Sequence, residues 1–89
     1  MVHSNVKRLE MLLPMFKVYY SPDDFKAIDA IVSEFKNDSP DMAKIRKELG
    51  ILRSGQGSKT YTLEPGRGLI AQGISLVDGV LRDLIPIKR

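Results

Sequence analysis

The 89-residue chain has no cysteine and a single histidine. Without cysteine there are no disulfides, thiolate metal sites or cysteine nucleophiles, and a reducing compartment suits the composition. The lone His3 lies where the chain end is expected to fray, so neither a zinc site nor a Ser-His dyad is expected. Long apolar runs are missing too. The longest uncharged stretch, Gly68 to Val77, is far shorter than the roughly 20 residues that cross a bilayer. No secretory leader is legible, because Lys7, Arg8 and Glu10 interrupt the one candidate segment and Pro14 ends it. Internal repeats and low-complexity tracts are absent as well. These absences point to a cytoplasmic, non-enzymatic protein with no metal, no cofactor and no membrane partner.

Hydrophobic residues make up 43% of the chain and charged residues 28%, the composition of an ordinary globular domain. A chain this short cannot divide its apolar content between two cores, so residues 1–89 are expected to form one domain. It buries only about 60–65% of the surface its unfolded form exposes, and pairing with a second copy would help. The net charge of +3 is unevenly spread. Residues 21–41 carry two basic and six acidic side chains, whereas residues 42–61 carry five basic and one acidic. A positive segment beside a negative one suggests a face directed at anions.

The N-terminal helices are expected over about 4–36. Val6, Leu9, Leu12 and Leu13 have helical spacing, and Pro14 is expected to limit that first helix. Residues 15–20 read equally as a short strand or a resumed helix. "SPDDF" then starts a helix: Ser21 caps, Pro22 suits the first turn, and Asp23 and Asp24 complement the dipole. Phe25, Ile28, Ile31, Val32 and Phe35 supply its apolar face to about residue 36. "NDSPD" repeats the signal, with Ser39 as cap for a helix over 39–49 and Gly50 as its left-handed stop. Beyond it, "RSGQGS" reads as a pliable tip and "KTYTL" as a strand, so 51–63 is expected to form a hairpin closed by Glu64-Pro65-Gly66. "GQGSKT" is not a phosphate-binding loop, because Ser58 separates Gly57 from Lys59. A last helix is expected over 67–85.

The segment "MAKIRKELGILRSGQGSKTYTLEPGRGLIAQ", residues 42–72, resembles the winged-helix DNA-binding domains of small repressors. Leu49-Gly50-Ile51 stands where such a recognition helix ends, and Arg53 lies on the first wing strand. "SGQGSK" fills the wing tip, Tyr61-Thr62-Leu63 the second strand, and Pro65-Gly66 the turn into the following helix. The resemblance implies a mainly α fold with a small β-hairpin, a winged helix-turn-helix with a C-terminal dimerisation helix. It also implies double-stranded DNA as partner and a role in transcription regulation.

At 100° per residue, Met42, Ile45 and Leu49 share one side of the candidate recognition helix. Ala43, Lys44 and Lys47 occupy the other, with Arg46 on its flank. A thin basic face around a small residue suits close approach to a duplex. Lys44, Arg46, Lys47, Arg53, Gln56, Ser58 and Lys59 are therefore the expected DNA contacts. Roughly five neutralised phosphates would give a log-log salt slope of about −4 to −5. In the last helix, Ile70, Ile74, Val77, Leu81 and Leu84 recur at alternating four-three spacing, widened by Leu69, Leu76 and Val80. That stripe reads either as a seam with a second copy, giving a homodimer, or as a face covered by residues 4–13 within one chain. The alternative function is a protein-interaction module, a helical adaptor or inhibitor whose basic face meets an acidic partner. A third reading is a structural subunit docked through the last helix. The sequence names no small-molecule effector.

Overall fold

In the computed structural model, residues 3–84 are described, and they form four helices with no strand among them. They are α1 (Ser4–Tyr19), α2 (Pro22–Phe35), α3 (Met42–Gln56) and α4 (Gly66–Leu84). Each helix packs on two others: α1 on α4 and α2, and α3 on α2 and α4. The side chains of Leu9, Phe16, Ile28, Ile31, Phe35, Ile45, Leu52, Ile70 and Val77 are shut off from solvent in the shared core. Residue 85, the expected end of the last helix, lies outside the described residues.

The winged-helix expectation is overturned by this all-helical architecture. Gly50 does not stop α3, and no glycine in the described chain has a positive φ. The reason is periodic: Leu52 follows Ile45 and Leu49 on the same buried stripe, so ending the helix at residue 50 would strip Leu52 from the core. Ile51, Leu52 and Arg53, expected as the first wing strand, are thus the penultimate turn of α3. The helix ends at Gln56, where Gly57 N–H bonds the Arg53 carbonyl at 3.3 Å. Residues 57–65 form a connecting loop in place of the hairpin's second strand. Ser58 Oγ donates to the Gly55 carbonyl at 2.7 Å and accepts from Thr60 N–H at 3.2 Å, so the turn satisfies its own polar groups without a β-ladder.

The start of α3 also differs from expectation. Its cap is Asp41, whose Oδ1 accepts from Lys44 N–H at 3.2 Å, two residues beyond Ser39. By contrast, Ser21 caps α2 as expected, with Asp24 N–H at 3.3 Å from its Oγ, and Pro22 opens the helix. Pro14 does not end α1; the helix runs through it. The ring sits on the exposed side, so the Glu10 carbonyl that loses its i+4 donor faces the side open to water. Residues 15–19 are accordingly helix, and Phe16 joins the core. His3 is not frayed: Nδ1 accepts from Asn5 N–H at 3.0 Å, and Nε2 lies 2.6 Å from Asp83 Oδ2 on α4. Those contacts tie the start of α1 to the last turn of α4.

Three aromatic rings join α1, the loop and α4. Phe16 stacks on Tyr20 at 4.5 Å between centroids, and Tyr20 meets Tyr61 edge-on at 6.0 Å. The Tyr20 hydroxyl donates to the Leu69 carbonyl at 2.7 Å. It passes Gly73, one helical turn on, where any Cβ would collide with that hydroxyl. Burial pushes the Tyr20 hydroxyl well above its usual pKa, and the charge of nearby Asp24 acts in the same direction.

Candidate nucleic-acid interface

The extended α3 gathers most of the expected contact residues onto one helix, about 22 Å long. Its inward stripe is Ile45, Leu49 and Leu52. Opposite, at 100° per residue, Ala43, Lys47, Gly50 and Ser54 form an exposed ridge of small side chains broken by one lysine. Arg46 and Arg53 flank it on the side of α4. Lys44 and Ile51 flank it on the side of α2. Gln56 closes the helix, and Ser58 and Lys59 continue from its end into the connecting loop.

Two of the five cations are engaged within the molecule. Arg53 Nη2 lies 2.6 Å from Asp78 Oδ1 of α4. Lys44 Nζ lies 3.6 Å from Glu34 Oε2 of α2. Among the described residues, no carboxylate lies within 4.0 Å of Arg46, Lys47 or Lys59. Exposed ion pairs are worth at most about 1 kcal/mol, so Arg53 can exchange Asp78 for another anion at small cost. Ser58 differs, since both its hydroxyl bonds hold the loop turn.

Glu34 is the most constrained of these carboxylates. It accepts from Asp41 N–H at 2.9 Å and from the Asn37 side-chain amide at 3.2 Å. The Asp41 hydrogen bond chiefly, with Asn37 and Lys44, holds its pKa below the usual 4.5. Glu34 thereby ties the end of α2 to the cap of α3 and fixes how the basic helix leaves the turn. Between the same helices runs a groove of about 580 Å³, lined by Ala27, Ala30 and Ile51 with Asp23, Lys26, Lys47 and Glu48 at its edges.

Three of the five residues of the expected dimer seam are buried within the chain and two are half-buried. Ile70, Ile74 and Val77 are buried, and Leu81 and Leu84 pack partly covered against the same core. The sequence reading missed Asp24 and Tyr61 as a buried polar pair. Its signal was present: Asp24 is four residues before Ile28 and seven before Ile31, on the buried register of α2. A carboxylate on that stripe needs a donor, and the loop tyrosine supplies it.

Among the described residues, no three His, Asp or Glu side chains converge into a group able to hold a metal, and no helix is long and apolar enough to cross a membrane. No protein-family model matches the chain, and neither does any curated protein or solved structure.

Proposed function

We propose that the protein binds double-stranded DNA through the outer face of α3, as a small regulator. The observation carrying this reading is the run of exposed cations along one helix, with Ala43, Gly50 and Ser54 leaving no bulky side chain between them. Such a face can lie close to a duplex, with Arg46 and Lys47 reaching phosphates or guanine edges and Lys59 extending the contact beyond the helix end. This mode needs no wing.

Fluorescence anisotropy with a mixed-sequence duplex, at two salt concentrations, tests it. Binding at low salt is expected, weakening with a log-log slope of about −3 if only Arg46, Lys47 and Lys59 engage phosphates. The slope becomes about −4.5 if Lys44 and Arg53 leave their internal partners. Arg46→Glu with Lys47→Glu should abolish binding while helicity by circular dichroism stays unchanged. No binding by the native chain at low salt rejects the reading.

The groove between α2 and α3 favours a second reading, a protein-interaction module. Its apolar floor and edges of both charge signs suit a polypeptide better than a phosphate backbone. That reading predicts no duplex affinity at low salt and loss of a protein partner on Ile51→Glu.

A further inference from the structure

Helix α1 is apolar on two opposite faces. Leu9 and Phe16 point into the core and are fully buried. On the far side, Met11 is 80% exposed and Val18 73%, with Met15 and Tyr19 also open to solvent. At 100° per residue, Met11, Met15 and Val18 lie within about one sixth of the circumference, directly opposite the core stripe. Lys7 borders this patch on one side and Arg8 on the other. A continuous outward stripe of this kind, unlike scattered single apolar residues, marks a contact surface.

We infer that the outer face of α1 pairs antiparallel with the same face of a second copy. The argument is self-complementarity, which a two-fold interface requires because each contact occurs twice. Setting Met11 of one copy against Met15 of the other fixes a register. In that register Arg8 of each copy comes against Tyr19 of the other, on the same flank, where a guanidinium can stack on the ring. Val18 meets the aliphatic stems of Lys7 and Arg8. The two Lys7-Arg8 ends fall roughly 16 Å apart along the pair, beyond the Debye length at physiological salt, so like charges do not meet. The methionines suit the seam, since flexible thioethers fill the irregular gaps between two crossing helices. A single helix pair is at the small end of specific interfaces, so the dimer is expected to dissociate on dilution.

This pairing uses none of the α3 residues and stands independently of DNA binding. Sedimentation velocity over a concentration series, from low micromolar to near-millimolar, is the test. The native chain should pass from monomer to dimer. Met11→Glu with Val18→Glu should remain monomeric with native helicity, both positions being exposed. Tyr19→Ala alone should weaken the dimer by removing the ring on which Arg8 of the other copy stacks, and Tyr19→Phe, which keeps the ring, should leave it intact. A native chain that stays monomeric throughout overturns the inference. So does a dimer indifferent to both the double glutamate variant and Tyr19→Ala, or a monomer whose α1 stripe instead drives co-sedimentation with phosphatidylserine vesicles.

Discussion

The Tyr61 hydroxyl donates to Asp24 Oδ2 at 2.6 Å and accepts from Ser21 N–H at 2.9 Å. One oxygen from the loop thereby completes the start of α2, satisfying a carboxylate that is only 5% exposed and a backbone donor at the cap. Gly55 of α3 backs the same carboxylate so closely that a Cβ there would overlap it. The contact joins α2, α3 and the loop that the sequence patterning presents as a wing.

Tyr61→Phe should therefore destabilise the fold by about 1–3 kcal/mol, because the Asp24 carboxylate stays buried without its donor. Pairing it with Asp24→Leu should cost less than the two single changes added together, since no orphaned charge then remains. Urea unfolding of the two single variants and the double reads this out. Strict additivity would mean that the hydroxyl and the carboxylate do not act as a unit.

The two buried tyrosines predict an alkaline limit. Burial raises the pKa of Tyr20 and Tyr61 above the ordinary 10.0, and the hydrogen bond to Asp24 adds to the rise at Tyr61. The folded state thus favours the neutral hydroxyls. Their contribution is fully present below pH 10.0 and is lost as pH rises above it through the folded-state values. In a Tyr19→Phe background, tyrosinate absorbance should appear together with loss of helicity. Ionisation of both tyrosines in a chain that keeps its circular dichroism would contradict the buried arrangement.

Glu34 predicts the acid limit. Its folded pKa lies below the usual 4.5, so its contribution is present above that value and declines as pH falls through the folded one. Glu34→Gln should make stability less dependent on pH below 4.5, because the amide oxygen still accepts from Asp41 N–H but carries no titrating charge. Thermal unfolding of both proteins across that range provides the comparison, and parallel curves would count against the assigned role.

The terminal helix and α2 were legible because their signals agree. Ser21, Pro22 and the Phe25-Ile28-Ile31-Phe35 stripe all point to one element, and α4 carries an uninterrupted stripe from Leu69 to Leu84. Residues 50–63 were not legible because local and tertiary signals conflict there. Gly50 and the Thr-Tyr-Thr alternation favour a stop and a strand, whereas Leu52 and Tyr61 each reach the core only if α3 continues and the loop folds back. Core burial of Leu52 outweighs the roughly 1 kcal/mol that a mid-helix glycine costs. The cations of the candidate interface were visible as a charged segment, but their pairing was not. Asp78 and Glu34 lie 25 residues after Arg53 and 10 before Lys44, on helices whose packing no local pattern specifies.

Two glycine substitutions turn that conflict into a measurement. Gly50 lies inside α3 with open space around its Cβ position, so Gly50→Ala should stabilise the protein by about 0.5–1 kcal/mol through helix propensity alone. At a left-handed helix stop the same change would destabilise, because a Cβ is disfavoured there. Gly73→Ala should do the opposite. Its Cβ would meet the Tyr20 hydroxyl and approach Phe16, forcing that hydroxyl off the Leu69 carbonyl and costing about 1–3 kcal/mol. Thermal melts of the two variants beside the native chain decide the matter. A lower melting temperature for Gly50→Ala would contradict a continuous α3 through residue 50, while a neutral Gly73→Ala would place the Tyr20 hydroxyl elsewhere.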